Sequence, residues 1–247
     1  MIENGHSTQT RLYCLPHAGG RAAAFRSWRE KAPAGIDLVP VELAGRGARF
    51  GEGPPADLGA VVDEVAGRVL RESEAPFALF GHSMGALVAF EAACSLHERF
   101  GLRPDHLFVA AFRAPHVPSR EPRLYALSDD ELVDELVRLG GIPPGILQVP
   151  ELIELALPIV RADLTLCETY RMVPGNRLDC PLTAFGGRQD TMVGAGELQA
   201  WGDVTSGPFE IHLLPGGHFF LDDSESPCRE LVFRALRRRH EPIDTTR

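Results

Sequence analysis

One serine lies in a setting that could make it a nucleophile. Residues 81–85 read G-H-S-M-G, which fits the G-x-S-x-G pattern of a nucleophile elbow and centres it on Ser83. The apolar run at 77–80 predicts a buried strand, and the Ala- and Leu-rich stretch at 86–96 predicts a helix. An ordinary glycine-rich turn would share the five letters. The flanking strand and helix favour a sharp turn that exposes the Ser83 hydroxyl at the end of a sheet.

A serine hydroxyl needs a general base, which in turn needs a carboxylate to orient it. On a strand–helix scaffold of this kind the chain order is serine, acid, histidine. Of the nine histidines, only His218 lies in a glycine-rich loop directly after the last predicted strand, 209–214, while His240 lies near the end of the sequence. His82 is expected to point away from its neighbour Ser83, and His17 to be structural. The pattern therefore predicts His218 as the base.

One aspartate has the position expected of the orienting acid. Asp190 follows the predicted strand 182–185 after a short Gly-Gly loop, so it belongs to the carboxyl edge of the sheet, as does the loop of the base. Asp179 precedes that strand and Asp203 lies beyond the next helix. The pair at 222–223 is too close in sequence to the histidine. We therefore predict Asp190 as the acid; a turn-stabilising aspartate is the alternative.

An early loop could stabilise the negative charge that develops on a substrate oxygen. The first predicted strand, 11–15, runs into P-H-A-G-G at 16–20. Elbow enzymes build an oxyanion hole from the amide after the nucleophile and an amide of such a loop. Here these amides belong to Met84 and Ala18; a plain turn is the alternative. Neither common phosphate-binding glycine motif occurs in the sequence.

The rest of the chain alternates predicted strands and helices. This rhythm predicts an α/β fold whose mostly parallel sheet is covered by helices on both faces. Two further strands are predicted at 36–41 and 107–112. The remaining helices of this framework are predicted at 22–31, 58–71, 195–201 and 227–238.

The alternation stops between residues 119 and 176, where only helices are predicted. Ser128 opens a capping box for a helix that ends at Leu139, and two more helices are predicted from 150 and over 161–172, separated at Pro158. Insertions at this edge of a sheet often cover an active site. We expect 119–176 to form a helical lid on a core of 1–118 and 177–247; a purely structural subdomain is the alternative.

Composition excludes several functions. The 247 residues carry a net charge of −9, which disfavours nucleic acid as a partner. No apolar run reaches the roughly 18 residues of a membrane span. The five cysteines are scattered without a C-x-x-C pair, so we expect reduced thiols in a cytoplasmic protein and no zinc site.

With these residues identified, the chain resembles the type II thioesterases of polyketide and nonribosomal peptide synthesis, which are free-standing α/β-hydrolases. The likeness extends over nearly the whole length. It includes segments inside the predicted insertion that general esterases lack. The matching segments are 15–20, 43–49, 81–86, 136–141, 157–163, 185–190 and 215–220.

The resemblance implies a serine thioesterase with an α/β-hydrolase fold and a helical lid. It implies Ser83, Asp190 and His218 as a triad, with Ala18 and Met84 as oxyanion amides. The expected substrates are acyl groups on the phosphopantetheine arm of a partner carrier protein, removed to edit a stalled synthase. The enzyme is expected to act as a monomer, without a metal or an organic cofactor of its own.

Two other functions share these sequence features. A small-molecule carboxylesterase or lipase would use the same triad on an oxygen ester. A non-enzymatic, hydrolase-like docking protein would keep the fold without turnover, although the complete set of triad residues argues against it.

Residues near the predicted mouth could contact the substrate or the carrier. His17 and Phe219 are such candidates beside the catalytic loops. Because carrier domains are usually acidic, we also predict a local basic patch, with solvated arginines as the alternative. Its candidate members are Arg46, Arg49, Arg113, Arg120 and Arg123.

Overall fold

The structure, a computed structural model, describes residues 9–72, 76–118, 123–143, 145–223 and 225–238. Its centre is one sheet of six strands in the order β2-β1-β3-β4-β5-β6, and every neighbouring pair is parallel. The parallel α/β sheet expected from the sequence is therefore confirmed. The strands are β1 (Thr10–Leu15), β2 (Ile36–Pro40), β3 (Phe77–His82), β4 (His106–Ala110), β5 (Leu182–Gly187) and β6 (Phe209–Leu214).

In the described residues, seven α-helices connect or follow these strands. Five belong to the crossovers and the end of the framework, and two lie in the insertion between β4 and β5. They are α1 (Arg26–Glu30), α2 (Leu58–Glu72), α3 (Met84–Phe100), α4 (Asp129–Leu139), α5 (Pro150–Thr169), α6 (Ala195–Gln199) and α7 (Cys228–Arg238).

The sheet is buried on both faces, which explains the continuous apolar runs of its central strands. Successive side chains of a strand point to opposite faces. On β3, Leu79 packs into the core that includes α2 and α3, whereas Phe80 packs into the core that includes α1 and α7. The catalytic candidates are therefore carried on loops that leave a rigid, two-sided core.

Most element boundaries agree with the sequence-based expectation to within a few residues. The strand expected at 107–112 ends earlier, at Ala110. The reason is local, because Ala111 has a φ of +52°, in the left-handed region, and so leaves the strand direction. Helix α3 starts at Met84 directly after the serine, two residues before the expected start.

The insertion between β4 and β5 contains helices α4 and α5 in its described part, while residues 119–122 and 144 lie outside that part. The predicted capping box is confirmed, since the Ser128 side chain accepts from the Glu131 amide and the Glu131 carboxylate accepts from the Ser128 amide. The two helices pack through a small apolar core of their own that includes Leu132 and Leu157.

The expected break at Pro158 is wrong. Helix α5 runs without interruption from Pro150 to Thr169 and contains Pro158 in its interior. A proline removes one helical hydrogen bond and crowds the preceding turn, but packing on both sides can hold the helix together. Leu157 anchors the helix to α4, and Asp163 and Cys167 are buried further along it.

All five cysteines are buried and carry free thiols. Among the described residues, we find no helix with the combination of length and apolar character that crossing a membrane requires.

Candidate active site

Ser83 lies on a strained turn between β3 and α3. Its φ of +53° is in the region that non-glycine residues rarely adopt. Two glycines allow this turn, because a Cβ at Gly81 would overlap the Gly85 backbone and a Cβ at Gly85 would overlap the Leu15 backbone. The Ser83 amide donates to the carbonyl of Ala110 at 2.8 Å, which ties the turn to the next strand.

The three residues predicted as a triad lie within hydrogen-bonding distance of one another. His218 Nε2 is 3.1 Å from Ser83 Oγ, and His218 Nδ1 is 2.9 Å from Asp190 Oδ2. The side chain of Asp190 is fully buried and that of His218 is 6% exposed. The loops after β5 and β6 thus bring an acid and a base to the serine at the carboxyl edge of the sheet.

Backbone amides fix the orientation of the Asp190 carboxylate. Its Oδ1 accepts hydrogen bonds from the amides of Met192 and Val193 at 2.8 and 3.2 Å. The other oxygen, Oδ2, is left for His218. Because a carboxylate only accepts, His218 Nδ1 carries the hydrogen, and the lone pair of Nε2 faces the Ser83 hydroxyl. This is the tautomer that a general base requires.

His82 supports the loop that carries His218. Its ring is buried, and its Nε2–H donates to the main-chain carbonyl of His218 at 2.9 Å. Burial, followed by the nearby His17 and His218, holds the pKa of His82 well below its usual value, so its ring is neutral. The position of His82 next to the serine excludes it as a base, but no local pattern marks its supporting role, because His82 and His218 are 136 positions apart.

The predicted oxyanion residues lie beside the serine. Ala18 lines the same cavity as Ser83 and His218, and Met84 is the first residue of α3, where free amides meet the positive end of the helix dipole. The next amide of the early loop, that of Gly19, donates to Asp163 Oδ2 at 2.7 Å. Within the described chain we find no hydrogen bond from the Ala18 amide.

His17 and Phe219 pack beside the triad. Their ring centroids are 4.9 Å apart, and the Phe219 ring also lies 5.2 Å from that of His218. Burial, with smaller effects from His218 and Arg46, lowers the pKa of His17 to about 4. Neither His17 nor Phe219 belongs to the lining of the cavity at Ser83, so the structure does not place them as substrate contacts.

A cavity of about 510 Å³ opens at Ser83 and extends beneath the two helices of the insertion. The triad serine and histidine, together with Ala18, line part of it. Side chains from α4, α5 and the loop after β5 form much of the remaining wall. The apolar wall residues include Phe112, Leu124, Leu127, Leu164, Met192 and Val193.

Two of the arginines predicted to form an exposed basic patch are buried, so this prediction is wrong for them. Arg46 is 2% exposed and forms a bidentate ion pair with Asp163, with N–O distances of 2.6 and 2.9 Å. Arg113 is 8% exposed and lines the cavity. Its Nε donates to the carbonyl of Val117 at 2.9 Å, and burial lowers its pKa.

The other candidate arginines also do not form one free patch. Arg49 is half-buried and pairs with Glu52 and Glu64, whose hydrogen bonds raise its pKa. Arg123 donates to the carbonyl of Glu168 at 2.6 Å. Arg120 lies outside the described residues. The described candidate arginines are therefore bonded to neighbouring groups, and the surface near the mouth is less basic than the number of arginines in the sequence predicts.

No group of three or more His, Cys, Asp or Glu side chains among the described residues is arranged to hold a metal ion.

Three comparisons relate the chain to known proteins. A family model described as a thioesterase domain matches residues 10–238. The gramicidin S biosynthesis protein GrsT of Aneurinibacillus migulanus is 37% identical over 231 residues, which cover 94% of this chain and 90% of that protein. The thioesterase PikA5 of Streptomyces venezuelae is 37% identical, with 96% and 84% covered. The solved structure of RedJ, a thioesterase of the prodiginine pathway in Streptomyces coelicolor, superimposes with a TM-score of 0.84 at 40% identity, covering 92% of this chain and 89% of that one.

Proposed function

Because the chain belongs to the thioesterase domain family and is a thioester hydrolase, we propose that it releases acyl groups from the phosphopantetheine arms of carrier domains in a polyketide or nonribosomal peptide synthase. One observation carries this proposal. The hydrogen-bonded chain Ser83–His218–Asp190 ends at a partly apolar cavity large enough for an acyl group.

In the first half of the proposed reaction, Ser83 becomes acylated. His218 Nε2 removes the hydroxyl proton as Oγ attacks the thioester carbonyl carbon, and the carbonyl electron pair moves onto oxygen. When the tetrahedral intermediate collapses, the C–S bond breaks. The pantetheine sulfur leaves and takes up the proton from His218. Asp190 stabilises the imidazolium in between through the 2.9 Å hydrogen bond.

The second half releases the acid. A water molecule replaces the thiol, and His218 takes its proton as the water oxygen attacks the acyl-Ser83 carbonyl. Collapse returns the proton to Ser83 Oγ and frees the carboxylic acid. Both steps pass through an oxyanion, which the amides of Ala18 and Met84 are proposed to bind. The reaction needs no metal or organic cofactor of this chain, since the pantetheine belongs to the partner.

The proposed biological role is editing. Acyl groups that stall a synthase would enter the cavity beneath the insertion, with the carrier domain remaining outside. Relatives named for gramicidin S biosynthesis and for a prodiginine pathway support this setting. Five buried free thiols support a reducing, cytoplasmic environment. We propose that the protein acts there as a monomer, which size-exclusion chromatography with light scattering tests.

The deciding experiment compares two substrates that carry the same acyl group, one as a carrier-bound thioester and one as an oxygen ester. We expect the thioester to have the higher kcat/KM. Ser83→Ala should fold normally and lose turnover by about 10³- to 10⁶-fold. A fluorophosphonate should label wild-type Ser83, as located by peptide mass spectrometry, and leave Ser83→Ala unlabelled.

Three results would count against the proposal. Preference for the oxygen ester would make the protein a carboxylesterase. Labelling without hydrolysis of either substrate would favour a docking protein. More than about a tenth of wild-type activity in Ser83→Ala would assign the nucleophile elsewhere.

A further inference from the structure

A buried ion pair joins the insertion to the core beside the active site. Arg46, in the loop after β2, and Asp163, on α5, are 117 positions apart in the chain. Their side chains are 2% and 0% exposed, and both guanidinium NH2 groups reach the carboxylate. A buried pair of this kind contributes little net stability, because the loss of hydration offsets the attraction. Its placement therefore calls for another explanation.

Asp163 accepts a third hydrogen bond, and its donor belongs to the oxyanion loop. Its Oδ2 accepts the amide hydrogen of Gly19 at 2.7 Å. Arg46 in turn lies 3.5 Å from the carbonyl of Gly20. Val160, one turn before Asp163 on α5, fills the space where a Cβ on Gly19 would stand. Helix α5 thus contacts the loop with a charged and an apolar side chain on one face.

The bond from Gly19 controls the shape of the turn that carries Ala18. The Gly20 amide donates to the His17 carbonyl at 2.8 Å, so residues 17–20 form a β-turn with Ala18 and Gly19 at its centre. The φ of Gly19 is +71°, as a type II turn requires at that position. Type I and type II turns differ by a flip of the central peptide, which contains the Gly19 N–H. The carboxylate of Asp163 holds that peptide in one orientation. The Ala18 N–H lies in the preceding peptide, so the bond from Asp163 reaches it by anchoring the turn in place and not by rotating the Ala18 amide itself.

We propose that Asp163, held in place by Arg46, is a positioning residue for the oxyanion amide of Ala18. In this arrangement the packing of α5 on the core also sets the position of the Ala18 amide. The insertion therefore helps to form the oxyanion hole as well as covering the active site. The inference rests on the proposed serine thioesterase function. It assigns no chemical step to Asp163, which acts only through the turn.

The test removes both charges together, because removing one would leave the other buried without a partner. The variant is Arg46→Met with Asp163→Leu, assayed on an acyl-N-acetylcysteamine thioester that has no carrier. A weakened oxyanion hole should lower kcat by about 10²- to 10³-fold, with KM changed less than about twofold. Asp163→Asn and Asp163→Ala both leave Arg46 without its counter-charge, so they are compared only with each other; Asp163→Asn, which keeps an oxygen for the Gly19 amide, should retain more activity than Asp163→Ala.

Two inhibitors separate a positioning role from a general loss of structure. A trifluoromethyl ketone analogue forms a tetrahedral oxyanion on the serine and should bind more weakly by the same factor as kcat. A thioether analogue, which lacks the carbonyl, should bind to the double variant within about twofold of wild type. Equal losses for both inhibitors would indicate a damaged cavity and overturn the inference.

Arg161→Met is the matched control. Arg161 also lies on α5, but it donates to the carbonyls of Tyr125 and Leu127 before α4 and has no bond to the oxyanion loop. Its kcat should stay within about threefold of wild type. If it falls as far as that of the double variant, any loosening of α5 suffices and the specific role of Asp163 is removed.

The two proposals can fail separately. If wild type hydrolyses thioesters and the double variant keeps its kcat, this inference fails and the function stands. If wild type hydrolyses no thioester, the function fails. In that case hydrogen exchange of the Gly19 amide still tests its bond to Asp163. The Gly19 amide should exchange faster in the double variant than in Arg161→Met, and equal exchange rates would overturn the inference.

Discussion

His17 should make the protein less stable in mild acid. Its ring lies against those of His82 and Phe219, and burial lowers its pKa to about 4. In the unfolded chain a histidine has a pKa of about 6.5. Between these two values the unfolded state binds a proton that the folded state does not. Linkage then requires the free energy of unfolding to decrease as the pH falls from about 6.5 to about 4.

The two pKa values give the magnitude. At pH 7 His17 is mostly neutral in both the folded and the unfolded state, so it lowers the free energy of unfolding by almost nothing. At pH 5 the unfolded form is almost fully protonated and the folded form is not, which destabilises the protein by at most about 2 kcal/mol. The loss approaches its full size of about 3 kcal/mol near pH 4 and grows no further much below it. His82 acts in the same direction, because its pKa is lowered as well.

The assay is urea unfolding of wild type and His17→Gln at several pH values between 5 and 7.5. Glutamine is neutral throughout, and His17 is neutral in the folded state at these pH values, so the substitution removes no charge from beside His218. The difference in unfolding free energy should shift by up to about 2 kcal/mol in favour of the variant as the pH falls.

His116→Gln is the control for loss of a histidine as such, because His116 lies at the surface beside Asp203. Its difference from wild type in unfolding free energy should change less between pH 7 and pH 5 than that of His17→Gln. If the stability curves of wild type and His17→Gln run parallel from pH 7 to pH 5, His17 is not held neutral, and the argument from its burial is refuted.

Two further predictions concern the triad and the insertion. Asp190→Asn should fold normally and lower kcat by about 10⁴-fold, because an amide NH2 facing His218 Nδ1 would place the ring hydrogen on Nε2, towards Ser83; near-normal kcat with an acyl thioester would mean another acid. In hydrogen–deuterium exchange, residues 151–157 of α5 should exchange faster than residues 163–169. The first half is mostly exposed, and Pro158 leaves the Glu154 carbonyl without its helical hydrogen bond. In the second half, Asp163 bonds to the core and Glu168 to the segment before α4. Equal protection of the two halves would contradict a loosely held first half.

The parts of the site that the sequence predicted are those with a local signature. The elbow is visible because the pattern around Ser83 includes both the glycines and the flanking strand and helix. Asp190 and His218 could be proposed because parallel strands place the loops after their carboxyl ends at one edge of the sheet. Each inference needed only a strand, the loop after it and one suitable residue.

The failures concern residues whose partners are distant in the chain. Arg46 and Arg113 look like surface charges in the sequence, and only the fold shows that one pairs with Asp163 and the other lines the cavity. The expected break at Pro158 failed for the same reason, since packing against α4 and the core outweighs a local preference.

The same distinction separates the chemistry from its support. A nucleophile, a base and an acid must be particular residue types, so their identity and order are readable. Support requires only that a donor or an acceptor be in the right place, as His82 donates to the His218 carbonyl and Asp163 accepts from Gly19. Many side chains could do either, and no spacing marks them. The insertion therefore looks like a separate cover in the sequence, although in the structure one of its carboxylates binds the loop that carries the proposed oxyanion amide.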